Sequence, residues 1–91
     1  MYLRQMEIDD LGIMLEMAHA EGWSSDRLEF EIYLNINPMG CFSCITDEKV
    51  VGGIMTFTYP NSGWIGNLVV DKKYRLKGFG KALFRRSILQ L

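Results

Sequence analysis

The chain has 91 residues, 48% of them hydrophobic, and a formal net charge of −1, which is enough for one domain and no more. No apolar run approaches the roughly 20 residues that a bilayer span needs, and no basic stretch followed by an apolar core opens the chain, so the expected setting is cytoplasmic with no membrane partner. The near-neutral total hides a split: residues 1–70 carry three basic and ten acidic side chains, whereas residues 71–91 carry seven basic (Lys72, Lys73, Arg75, Lys77, Lys81, Arg85, Arg86) and one acidic, Asp71.

In chain order, Met1 to Met6 reads as a first strand. Asp9 or Asp10 is placed to cap a helix running to about Glu21, with Leu11, Met14, Leu15 and Ala18 on one face. Gly22 ends it, and His19 near that end reads as a surface residue. Trp23 reads as a packing anchor under the turn. Ser24, Ser25 and Asp26 offer the next cap, for a short helix lined by Leu28, Ile32 and Leu34. Pro38 and Gly40 break the chain before a strand at Cys41 to Thr46. A tight turn at Asp47-Glu48-Lys49 joins it to a longer strand, Val50 to Tyr59, in a hairpin. Within that strand Gly52 and Gly53 mark a bulge or close backbone packing. Pro60-Asn61-Ser62-Gly63 is a turn, with Tyr59 and Asn61 beside it. Trp64 to Val70 is the last strand and Gly78 to Leu91 a final helix, with an apolar stripe of Leu83, Phe84, Ile88 and Leu91. Phe79 and Phe84 read as core, as do most of the six methionines.

Cys41 and Cys44 are spaced C-x-x-C, but a zinc site needs a second pair or histidines, and His19 is the sole histidine. On a strand, residues three apart point to opposite faces, so these two are expected to be reduced thiols of a half-buried strand. No metal site is expected.

The richest stretch is Val69-Val70-Asp71-Lys72-Lys73-Tyr74-Arg75-Leu76-Lys77-Gly78-Phe79-Gly80-Lys81. It reads as a strand, a basic turn, a Gly-x-Gly bend and a helix start. That order builds an anion pocket from backbone N–H groups, and the positive end of the charge split coincides with it. A Walker A loop would need glycine at Arg75 and Ser or Thr at Ala82. A dinucleotide fingerprint would need a third glycine at Leu83. Both are excluded.

Arg75-x-x-Gly78-x-Gly80 after an apolar strand resembles the acetyl-CoA signature of the GNAT N-acetyltransferase superfamily. The order β-α-α-β-β-β-α resembles the first half of that fold, a mixed α/β domain with a mainly antiparallel sheet. The turn Glu21-Gly22-Trp23 followed by Asp26 is also similar to the N-terminal domain of some two-lobed members. The resemblance implies a single partial domain over residues 1–91 that lacks the C-terminal strands of the full fold. It implies acetyl-CoA as co-substrate, with Leu68, Val69 and Val70 along the pantetheine arm. The pyrophosphate would lie against Arg75, Leu76, Lys77, Gly78, Phe79, Gly80 and Lys81.

The activity implied is acetyl transfer to a primary amine of a small molecule or peptide, with no nucleic acid. Many members carry a glutamate early in the signature strand as general base; here that segment is Trp64-Ile65-Gly66-Asn67, and no catalytic residue is assigned. The strand 64–70 would be an open apolar edge, which invites a homodimer or a C-terminal half. The competing class is a non-catalytic CoA-binding or protein-interaction half-domain, and a third is a basic helix tracking nucleic-acid phosphates.

Overall fold

The computed structural model describes residues 1–59 and 63–89, without the side chains of 57–65. The predicted turn at Pro60-Asn61-Ser62, the side chains of Tyr59 and Trp64, and Leu91 lie outside the described residues. Strands β1 (Tyr2–Gln5), β2 (Cys41–Thr46), β3 (Lys49–Tyr59) and β4 (Gly63–Val70) form an antiparallel sheet in the order β1-β2-β3-β4. Helices α1 (Leu11–Ala20) and α2 (Arg27–Ile36) cover one face, and α3 (Phe79–Ile88) covers the other. The expected mixed α/β class and antiparallel sheet are both present.

The period-2 alternation of the strands sorts side chains between two cores. Cys41 and Met55 join Met6, Leu11, Met14 and Phe30 beneath α1 and α2. Phe42, Cys44 and Ile54 join Leu83 beneath α3. The two cysteines thus lie on opposite faces and are both free and fully buried. Their strand is buried on both sides rather than half-buried, because helices cover both faces of the sheet. Burial pushes the Cys41 thiol up to about 11 and the Cys44 thiol up in the same direction, so both are protonated and inert.

The β2–β3 hairpin turns on Asp47 and Glu48, both with positive φ (53° and 63°), as a two-residue type I′ loop requires. Lys49 already pairs with Thr46. The register steps between Cys44 and Ile45, which face Gly52 and Val50 and leave Val51 as the bulged residue. The glycine pair beside this bulge serves close packing on both faces. A Cβ on Gly53 would run into Met14 of α1, and one on Gly52 would crowd Val69, Val70 and Leu83.

One predicted helix cap and two predicted helix faces differ from those observed. Asp10 does not cap α1 with its side chain. Its carboxylate instead accepts from both Arg4 guanidinium nitrogens (2.7 and 2.9 Å), from the Glu7 N–H and from Ser43 Oγ, each of these at 2.9 Å. The pocket for it lies between β1 and β2, so four donors there outcompete two N–H groups of the helix.

On α2 the buried pair is Phe30 and Leu34, while Leu28 and Ile32 are 65% and 47% exposed. The cap at Asp26 is as expected, with Oδ1 accepting from the Glu29 N–H at 2.8 Å. On α3 the buried pair is Leu83 and Ser87, while Phe84 and Ile88 are 39% and 44% exposed. Ser87 donates to the Phe84 carbonyl at 2.8 Å, which lets a small polar side chain sit against the sheet. Phe84 is therefore not a core residue, in contrast to Phe79, which packs on the α3-side core.

Candidate functional site

Where β4 ends, the chain makes a short turn at Lys72–Tyr74, anchored by the Asp71 carboxylate accepting from the Lys73 N–H at 2.9 Å. It then crosses a bend and enters α3. Leu76 and Gly78 both adopt left-handed backbone conformations (φ 65° and 80°). Gly78 is the N-cap of α3, and no side chain caps that terminus. Left-handed residues just before a helix turn successive N–H groups toward one concavity, and the first-turn N–H groups of the helix point the same way. Glycine is needed at Gly78 for its φ, since a Cβ there meets nothing.

A cleft of about 440 Å³ opens at this bend. Leu68, Val69 and Val70 line it from β4; Arg75, Leu76, Gly78, Phe79, Gly80 and Lys81 line it from the bend and α3. Of the predicted cofactor-contacting residues, Lys77 alone is not among the lining residues. Its ammonium lies 5.9 Å from the centre of the Tyr74 ring, and Tyr74 stacks on Phe79, so Lys77 stands at the rim. Leu76 is fully exposed.

The basic segment does not act as one face. Arg86 lies 4.6 Å over the Phe42 ring, a cation–π contact on the sheet side of α3. Arg75 donates from Nε to the Val70 carbonyl at 3.2 Å and pairs through Nη2 with the Glu21 carboxylate.

Glu21 and Trp23 complete the cleft from the far side of the sheet edge; neither was predicted as a ligand residue. They arrive there because α1 ends in a Schellman motif. Gly22 takes φ 85°, its N–H bonds to the His19 carbonyl at 2.9 Å, and the Trp23 N–H bonds to the Ala18 carbonyl at 3.0 Å. Trp23 also packs against the core, as expected of it. The sequence signal was the Glu-Gly-Trp turn itself, but its distance from the bend in sequence hid the juxtaposition. His19 is exposed and bonds through Nε2 to the Ser25 carbonyl at 2.7 Å, within the α1–α2 connection.

A second cavity, of about 590 Å³, adjoins the first and shares Glu21, Val70 and Tyr74 with it. Among the described residues no group of three or more His, Cys, Asp or Glu side chains could hold a metal ion. No helix there is long and apolar enough to cross a membrane.

The profile of the Acetyltransferase (GNAT) family matches residues 6–89. No curated protein matches the chain. Among solved structures, the Ard1 protein of Thermoplasma volcanium superposes with a TM-score of 0.90 at 18% identity, over 98% of this chain and 62% of that one. A putative acetyltransferase of Pyrococcus horikoshii superposes with a TM-score of 0.80 at 27% identity, over 98% of this chain and 34% of that one. The diaminobutyrate acetyltransferase of Paenibacillus lautus, in complex with L-2,4-diaminobutyric acid and coenzyme A, gives 0.81 at 18% identity, over 96% and 55%. The chain therefore spans less than two thirds of the length of each of these proteins.

Proposed function

Because the chain belongs to the acetyltransferase (GNAT) family, we propose that it binds acetyl-CoA in the cleft at the end of β4 and transfers the acetyl group to a primary amine. The observation that carries this reading is the convergence at one place of two left-handed residues, an uncapped helix N-terminus and a cationic segment. In this reading the backbone of the bend and Arg75, Lys77 and Lys81 hold the pyrophosphate. Leu68, Val69 and Val70 run beside the pantetheine arm. A structure of another protein of this fold contains coenzyme A, which supports the choice of ligand.

The reaction is attack of a neutral amine on the thioester carbon: the C–N bond forms, the C–S bond breaks and the thiolate leaves. Negative charge gathers on the carbonyl oxygen, and an outward backbone N–H of β4 is suited to stabilise it. The amine has to lose a proton, and a carboxylate reached directly or through water is the usual acceptor. The described residues of β4 near that place, Gly66 to Val70, include none.

The edge of β4 has only β3 beside it among the described residues. We propose that it pairs with a further strand, from a second copy or a following segment, to close the cleft.

A second reading, a CoA-binding half-domain without turnover, is favoured by the lack of a carboxylate on Gly66 to Val70 of β4. Calorimetry with CoA and a thiol-release assay with acetyl-CoA and a panel of amines separate the two. Turnover abolished by Gly78→Asp or Gly80→Asp is expected of the enzyme, and binding without turnover of the half-domain. Absence of CoA binding at millimolar concentration overturns both.

A further inference from the structure

We propose that Glu21 is an internal competitor for the anion of this cleft: its carboxylate holds Arg75 in the free protein, and a phosphate-bearing ligand takes Arg75 by displacing it. This rests on the reading of the cleft as a pyrophosphate site. Three observations carry it. Glu21 is the one carboxylate among the described residues that line the cleft. Its partner is Arg75, whose guanidinium is already tethered by Nε to the Val70 carbonyl and so stays at the end of β4. The Arg75 side chain is 41% exposed, so an incoming anion can reach its guanidinium, although the Glu21 oxygen that meets it is buried.

The backbone on both sides is fixed, by the Schellman bonds around Gly22 and by the left-handed bend at Leu76 and Gly78. The exchange therefore needs only side-chain rotation. A guanidinium donates to one carboxylate or phosphate at each edge of its fork, and a carboxylate left beside a bound phosphate is repelled by it. Glu21 thus weakens anion binding while satisfying Arg75 in its absence. The exposed Glu16, one turn earlier on α1, lines only the adjoining cavity and has no such role.

The test is calorimetric titration with CoA and, separately, with inorganic pyrophosphate at fixed ionic strength, with melting curves confirming that each variant is folded. Glu21→Gln is expected to tighten binding by about three- to tenfold. Glu21→Asp, which withdraws the carboxylate by one methylene, is expected to give a smaller gain. Glu16→Gln removes the same charge from the body of α1 and is expected to change nothing. In an Arg75→Gln background the gain from Glu21→Gln is expected to vanish.

Unchanged or weaker pyrophosphate binding by Glu21→Gln overturns the inference. So does a gain that persists without Arg75, or an equal gain from Glu16→Gln. Arg75-dependent tightening for pyrophosphate in a protein that does not bind CoA upholds the competition and overturns the acetyl-CoA reading alone.

Discussion

Two arginine–carboxylate pairs tie the helical layer to the sheet, and they are built for different purposes. Arg4 and Asp10 form a bidentate pair with bond lengths of 2.7 and 2.9 Å, closed further by Ser43 and the Glu7 N–H, with Asp10 5% exposed. Arg75 and Glu21 lie at the mouth of a cleft, and among the described residues Arg75 bonds further to the Val70 carbonyl. In the first pair the buried carboxylate accepts four hydrogen bonds, three at Oδ2 and one at Oδ1. In the second, the cation stays reachable. The same two chemical groups fix the fold in one place and leave an exchangeable contact in the other, and the difference is the number of additional donors and the depth of burial.

The sharpest way to break that comparison is to remove one partner from each pair. Asp10→Ala leaves Arg4 and Ser43 without their acceptor and is expected to cost about 3 kcal/mol in urea unfolding, with CoA affinity unchanged. Arg75→Gln is expected to cost less than about 1 kcal/mol while weakening CoA binding at least tenfold. Equal stability losses from the two substitutions would show that the pairs are not different in kind.

Acid provides the next test. Burial alone would raise the Asp10 carboxyl, but hydrogen bonds from Arg4, the Glu7 N–H and Ser43 outweigh it and hold it below its usual value. A group whose folded pKa is depressed contributes its stability above the unfolded pKa, about 3.9, and loses it as pH falls through the folded value. The stability gap between the wild type and Asp10→Asn is therefore expected to be full near neutrality and to shrink below about pH 4. Circular dichroism of urea unfolding at several pH values measures it, and a gap independent of pH would contradict the assignment.

Two glycines extend the contrast between fold and site. A Cβ at Gly40 collides with the side chains of Asn37 and Thr56, so Gly40→Ala is expected to destabilise by about 1–3 kcal/mol. A Cβ at Gly80 meets Val70 and Leu68 at 3.7 and 3.8 Å, ordinary contact distances. Gly80→Ala is expected to leave the fold intact, with a gain of up to about 1 kcal/mol from helix propensity, yet to weaken CoA binding. A Gly80→Ala variant that binds CoA as well as the wild type would remove the ligand as the reason for that glycine.

The smallest effect concerns Leu76, fully exposed and left-handed. Leu76→Gly relieves its backbone strain and is expected to stabilise by about 1 kcal/mol, read as a rise in Tm.

Much of this was legible from the residues. Asp26 caps α2 and Gly22 ends α1 because both act within one turn of chain, where local rules decide. The strand, the Arg75-x-x-Gly78-x-Gly80 bend and α3 are likewise contiguous, and they reappear as one wall of a cleft. Less legible were the faces of α2 and α3. Their apolar residues occur around much of each helix, and periodicity selected Leu28, Ile32 and Leu34 on α2 and Leu83, Phe84, Ile88 and Leu91 on α3. Of those described, the sheet takes Leu34 and Leu83 and adds Phe30 and Ser87, while Leu28, Ile32, Phe84 and Ile88 stay exposed.

By itself, the sequence determined the order of the elements, their ends, the hairpin and the glycine bend before α3, since each depends on backbone preferences of adjacent residues. Only the tertiary structure decided that Asp10 abandons its helix for Arg4 and Ser43, and that Glu21 meets Arg75. Such partnerships join residues far apart in the chain, and they form where packing leaves a polar group a shared pocket, which no local pattern encodes.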